Sequence, residues 1–202
     1  PSSSSASPSA HPPQPDLLLL TRNGLVKRTA LSQFARVRAN GTYGIKLREG
    51  TGDELVWVAR CPAPGSRVLV ASSDGQVLIF AADSLRPSSR ASTGVAAMRL
   101  APGACLVGMV VLPPADADAA AAVAGDPGGG AAVLLVTKQG LAKKIRAADL
   151  RTMRRAGQGV RGVRLVPGDA LAAVLPVPAR SDAGRDLLVG TAAGVMLRTP
   201  QS

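Results

Sequence analysis

Aromatic side chains are scarce in this 202-residue chain: Trp57, Tyr43, Phe34 and Phe80 make up only 2% of it. Proteins that hold single-stranded nucleic acid stack its bases on aromatic rings, so this scarcity argues for duplex over single strands. Histidine is rarer still. His11 is the sole example and lies in a Ser/Pro-rich stretch, which leaves no histidine-based triad or metal cage. Cys61 and Cys105 are the only cysteines. Two isolated thiols give neither a disulfide framework nor a metal cluster; they read as small buried hydrophobes in a reducing compartment. No apolar run approaches membrane-spanning length, since Leu17–Leu20 is followed at once by Thr21 and Arg22. No charged start followed by a long apolar stretch marks a secretory signal. The carboxylates Glu49, Asp53, Glu54 and Asp169 fall in expected turns, where capping is their ordinary role. GDPGGG at 125–130 lacks the Lys-Ser/Thr of a phosphate loop. By these criteria the chain is expected to have no catalytic residues, metal site or cofactor of its own.

What is abundant is positive charge. Twenty-four Lys and Arg face thirteen Asp and Glu, a net charge of +11 with a pI near 11.2. A field of that sign favours a polyanion as partner, either nucleic acid or an anionic membrane surface. The 46% apolar content suffices for one substantial core or one small array of repeats. The chain starts at Pro1 and stops at Ser202, a few residues past a strand-like run, and reads as a piece of a longer protein.

Residues 1–16 are Ser/Pro/Ala low complexity and are expected to be a disordered linker. A second such stretch, 113–130, interrupts the rest as a loop. The remainder repeats itself in units of about 17–61, 67–112, 131–178 and 186–202. LLLLTRNG (17–24), VLVASSDG (68–75), VLLVTKQG (133–140) and LLVGTAAG (187–194) align without gaps, and a second short apolar run follows each. Apolar run, polar loop with glycine, apolar run signals a β-hairpin whose turn needs the positive φ of glycine. In the first three units a second glycine follows (Gly41, Gly94, Gly159). Six residues later comes a leucine behind a base: Lys46-Leu47, Arg99-Leu100, Arg164-Leu165. A third glycine (Gly50, Gly103, Gly168) and a closing apolar run end the unit. The order is strand, hairpin, strand, basic loop, strand, turn, strand: a four-stranded unit the size of a propeller blade. A sandwich of a dozen short strands would have no need of repeated internal spacing. The runs are too short for stable helices.

The charge is uneven. Unit one has eight Lys/Arg against three acids, and unit three has nine against two. The bases cluster just after the hairpin glycine (Lys27 and Arg28; Lys143, Lys144 and Arg146) and in the loop around the second glycine (Arg36 and Arg38; Arg90; Arg151, Arg154, Arg155 and Arg161). Repetition places equivalent loops on one rim, so recurring bases form a stripe suited to phosphates, with nearby glycines offering backbone N–H donors. The column Val26, Val77, Ala142, Met196 is apolar throughout and expected to point inward, which by strand alternation turns Lys27 and Lys143 outward.

The stretches NGLVKRTALSQF, RANGTYGIKLREG, SRASTGVAAMRL, QGLAKK and RRAGQGVRGVRLVPGDAL resemble blades of the C-terminal domain of the DNA gyrase A subunit, a domain shared with the equivalent topoisomerase IV subunit. The resemblance covers Leu17 to Thr199. RANG, the long loop after unit two and RAGQG look most like cyanobacterial and plastid versions. It implies an all-β, β-pinwheel (propeller-like) array of four-stranded blades that exchange strands with their neighbours, here as an incomplete ring. It also implies duplex DNA wrapped on a basic rim. The implied partners are the remainder of the gyrase A subunit, the gyrase B subunit and double-stranded DNA. ATP and magnesium would belong to other parts of the enzyme. The setting would be bacterial cytoplasm and nucleoid, or a plastid or mitochondrion, with an organelle favoured. The seven-residue Gln-Arg-Arg-Gly-Gly-Lys-Gly box that marks gyrase is absent; MRRAGQG (153–159) only approximates it and sits in a different unit. Tyr43 lacks the arginine neighbour of the family's catalytic tyrosine, which lies outside this stretch. The rival function is a propeller-like protein-interaction platform without DNA binding. Such a platform usually carries aromatic and acidic anchors on its rim, and this chain has neither.

Overall fold

A computed structural model describes residues 15–62, 64–116, 130–177 and 186–200. Of the expected linker, residues 1–14 lie outside the described residues, as do 117–129 of the interrupting loop. Asp16, placed in the linker by composition, already belongs to the first strand. Among the described residues the named elements are thirteen strands and three short 3-10 turns. Unit one holds β1 (Asp16–Thr21), β2 (Leu25–Ala30) and β3 (Leu55–Cys61). Unit two holds β4 (Arg67–Ser72), β5 (Gln76–Ala81), β6 (Val95–Ala96) and β7 (Leu106–Leu112). Unit three holds β8 (Ala132–Thr137), β9 (Ala142–Arg146), β10 (Val160–Arg161) and β11 (Leu171–Val177). The hairpin β12 (Asp186–Gly190) and β13 (Met196–Pro200) opens a fourth.

Each hairpin is closed by the same turn. Gly24, Gly75, Gly140 and Gly194 all have φ between 81° and 97°. Their amides donate to the carbonyls of Thr21, Ser72, Thr137 and Thr191 at 2.9–3.2 Å. In three of the four, the threonine hydroxyl also accepts the amide one residue past the glycine. A hydroxyl residue three places before the glycine is therefore part of the turn, beyond what the apolar pattern alone marks.

The four-stranded blade is present, but its fourth strand comes from the next unit. The first sheet runs β3-β1-β2-β6 and the second β10-β5-β4-β7. Leu25 and Val26 pair with Ala96 and Val95, and Val77 and Gln76 pair with Val160 and Arg161. The third sheet, β11-β8-β9, has three strands among the described residues, and the array is one of strand-exchanging blades.

The cores lie between blades. Leu18, Leu20 and Val26 of the first sheet meet Val68, Val70, Leu78 and Phe80 of the second. Leu69, Ala71, Val77 and Ile79, on the opposite face of that second sheet, meet Val133, Leu135, Ile145 and Val174 of the third. Both faces of the middle blade are covered, so all six residues of β4 are buried and the usual in–out alternation becomes left–right.

Strand exchange requires close backbone approach. A Cβ on Gly159 would lie 2.4 Å from the Val77 carbonyl oxygen, and Gly159 also has φ of 77°. Gly94, in the matching place, needs only the space: its Cβ would meet the Val26 oxygen at 2.9 Å. Gly159→Ala is expected to push β10 off β5 and cost at least about 1–3 kcal/mol from the backbone conformation alone. Denaturant unfolding measures the loss; an unchanged midpoint would mean that the β10–β5 pairing contributes nothing to stability.

Candidate nucleic-acid interface

The basic loops of units two and three lie along the sheet edge where the exchanged strand docks, each on the blade before its own. Pro87 bridges Arg28, and Thr152 bridges Ile79, both in parallel sense. Ser88 N donates to Arg28 O at 2.9 Å, and Met153 N to Ile79 O at 2.7 Å. Successive loops are then stitched to one another. Lys46 N donates to Ser92 O (3.1 Å) and Arg99 N to Gly157 O (2.8 Å), two bonds at matching places in the repeat.

On these joined loops and the adjacent β10, Arg36, Arg38, Arg151, Arg154 and Arg161 are exposed. Arg90 and Arg155, each four residues before its unit's second glycine, are half-buried. Each steadies its guanidinium on a neighbouring carbonyl, Arg90 on Gln33 O at 3.3 Å and Arg155 on Ala96 O at 3.2 Å. Arg90 N also donates to Gln33 Oε1 at 3.0 Å, joining the unit-one and unit-two loops. Between these two loops lies a cleft lined by Arg38, Asn40, Tyr43 and Arg90, and Tyr43 is 83% exposed. Arg36 and Arg90 share an adjacent hollow with Gln33. Six of the twelve expected bases thus stand on the loops, with Arg161 just beyond in β10.

The bases after the hairpin glycine behave differently. Strand alternation predicts an outward, solvent-facing Lys27; it is only 2% exposed. Alternation does turn it away from Val26, but that face of β2 is covered by the 42–46 segment, where Gly44 lies against Leu19. Its Nζ donates to the carbonyls of Gly44 (2.8 Å), Arg90 (2.7 Å) and Ser92 (3.1 Å). Burial pushes the ammonium below the usual lysine range. Three carbonyl acceptors nonetheless need three N–H donors, which only the charged form has. Lys27 therefore has no donor left for a phosphate.

Arg28 is likewise engaged. Nε donates to Asp16 (2.5 Å) and Nη1 to Asp83 (3.0 Å) and Ala82 O (3.3 Å), with 15% of its side chain exposed. Burial opposes its charge, yet the two carboxylates outweigh that and hold the guanidinium above its ordinary value. It ties β1 and β2 of the first blade to the turn after β5.

In unit three Lys143, Lys144 and Arg146 are exposed. Lys143 Nζ reaches Gly162 O at 2.8 Å, and Arg146 pairs with Asp149 at 2.8 Å. The apolar column divides in the same way. Val26 and Val77 are fully buried in the cores between blades, whereas Ala142 and Met196 are exposed.

Lys46, Arg99 and Arg164 are also exposed and lie outside the expected set of phosphate contacts. Their signal is the threefold recurrence of a base before the unit's leucine. Among the described residues, no group of three or more His, Cys, Asp or Glu could hold a metal ion.

A family profile described as DNA gyrase C-terminal domain, beta-propeller, matches residues 15–62, 66–113 and 131–178. The chain belongs to this family. Its gyrase C-terminal repeats are similar to the DNA gyrase A subunit of Synechocystis sp., 34% identical over 90% of this chain and 23% of that protein. The Staphylococcus aureus counterpart is 31% identical over 90% of this chain and 18% of its own length. The chain thus spans less than a quarter of these relatives. Among solved structures, the C-terminal domain of DNA topoisomerase IV superposes with a TM-score of 0.75 at 20% identity, covering 93% of this chain and 52% of that one. The E. coli ParC C-terminal domain gives 0.64 at 15%, covering 95% and 71%. These two share the blade fold.

The two kinds of base separate by stability. Arg28→Ala is expected to cost about 1–3 kcal/mol, because it strands the half-buried Asp16 carboxylate. Arg154→Ala should stay within about 0.5 kcal/mol, as exposed loop substitutions do. Urea midpoints compare them; equal losses would erase the distinction. Asp83 adds a pH signature. The Gly65 amide, and then the Arg28 guanidinium, hold its carboxyl below the ordinary value. The resulting stability is present above the unfolded carboxyl's pKa and is lost as pH falls through the folded one. Asp83→Asn should therefore lower the midpoint at neutral pH and shrink the acid-side loss; an unchanged acid limb would show that this pair does not contribute to it.

Proposed function

We propose that this chain binds the phosphate backbone of duplex DNA along its stitched basic loops. In this role it would be the wrapping segment of a gyrase-type topoisomerase. The observation that carries the reading is that Arg36, Arg38, Arg90, Arg151, Arg154 and Arg155 stand on loops joined one to the next, those of units two and three each running along the edge of the preceding blade. Loops of this kind enter no groove, so recognition rests on backbone charge rather than base edges. Lys143, Lys144 and Arg146 extend the surface on the third blade, and Arg161 does so on the strand β10 that unit three lends to the second. Membership of the gyrase C-terminal family supports the same reading. In the whole protein the segment would act with the remainder of the gyrase A subunit, together with the gyrase B subunit. Those parts would supply the ATP- and magnesium-dependent strand passage that yields negative supercoils. A bacterial nucleoid or an organelle of bacterial descent is the fitting setting.

Binding to labelled duplex across a salt series tests this. Affinity should fall with a log–log slope of about −0.9 per phosphate neutralised, and should vary less than about tenfold among sequences. Arg154→Ala with Arg155→Ala should reduce the slope by about 0.9 for each phosphate no longer neutralised, and by more than Arg90→Ala does. A flat salt response, or intact DNA affinity alongside an abolished protein–protein interaction, would replace this reading with the interaction platform.

A further inference from the structure

The three-carbonyl cage around Lys27 joins the two basic loops that frame the Arg38–Tyr43–Arg90 cleft. Gly44 O belongs to the unit-one loop, and Arg90 O and Ser92 O to the unit-two loop. All three oxygens carry partial negative charge and would repel one another without a cation between them. The Lys46 N–Ser92 O stitch and the Arg90 N–Gln33 Oε1 bond close the same junction from either side. Unit three repeats part of the device. Lys143 occupies the place of Lys27, three residues after the hairpin glycine. It donates to Gly162, three residues after that unit's second glycine just as Gly44 is in unit one. In unit two the place is held by Leu78, against which Gly157 of the following loop packs, with a would-be Cβ 3.3 Å from the Leu78 Cδ1. One position in the repeat therefore holds the following loop either by a caged ammonium or by apolar packing.

We infer that Lys27 is a positioning residue. Its caged ammonium fixes the unit-one and unit-two loops against each other, so that Arg36, Arg38 and Arg90 present one phosphate-binding surface while Lys27 itself touches no DNA. The inference rests on the duplex-binding reading for its consequence, but the clamp is a property of the free protein. With Lys27 replaced by an apolar side chain the cage carbonyls lose their shared donor and the loops separate, although no exposed charge has been removed.

The test is Lys27→Leu in the full 202-residue chain, leucine being the residue that the second unit accommodates at this place. Lys27→Met serves as a second replacement. Amide hydrogen exchange without DNA should rise at least about tenfold at Lys46 and Arg90, while Met153 and Ala156 in the unit-three loop keep their protection. Duplex affinity should fall, and the salt slope should decrease by two or more phosphate equivalents, each about 0.9. Arg38→Ala should lower the slope with no change in exchange. A Lys27 slope loss of one equivalent with unchanged amides would make Lys27 a direct phosphate ligand and overturn the inference, as would no change in either measurement. Loss of protection throughout Val68–Ala71 in both replacements would overturn it too, making Lys27 a core element. If the unaltered chain binds no duplex, the functional reading fails, and exchange alone then decides the clamp.

Discussion

Everything in this structure depends on the sharing of blade faces and edges between neighbouring units. A lone sheet such as β3-β1-β2 would leave Leu18, Leu20 and Val26 in water on one face and an unpaired edge on β2. The next unit removes both defects at once. Its β4 and β5 cover the face, and its β6 pairs with the edge. Stability is therefore a property of neighbouring pairs, as in other repeat architectures, and blades without a full complement of neighbours are the weakest places.

The same sharing places the charge. Because each short exchanged strand is pinned to the preceding blade, the loop leading to it must run along that blade's edge. Pro87 beside Arg28 and Thr152 beside Ile79 are the anchors. An arginine on such a loop is held by two units rather than one. Arg90 and Arg155 illustrate the effect, since each guanidinium leans on a carbonyl outside its own loop and is ordered before any phosphate arrives. Pre-ordering of this kind reduces the entropy lost on binding.

Two populations of base emerge from one composition. Lys27 and Arg28 are engaged in holding units together: three carbonyls take every donor of Lys27, and two carboxylates and a carbonyl take Nε and Nη1 of Arg28. The loop arginines keep most of theirs. A count of positive charge per unit therefore overstates what is available to a polyanion, and unit one is overstated most.

Periodicity alone determined the all-β class, the hairpins and their turns, and the basic loops of the rim, because those features depend on residues close in the chain. LLLLTRNG and its three counterparts announce strand, turn and strand whatever surrounds them. The family is legible in the same motifs. Pairing across units is not legible in any local pattern. That β6 joins β2 and β10 joins β5 is decided by residues more than 65 positions apart. For the same reason strand alternation gives the direction of Lys27 correctly and its exposure wrongly. Pleating sets which way a side chain points, but only the packed loops decide whether water, phosphate or three backbone carbonyls wait there.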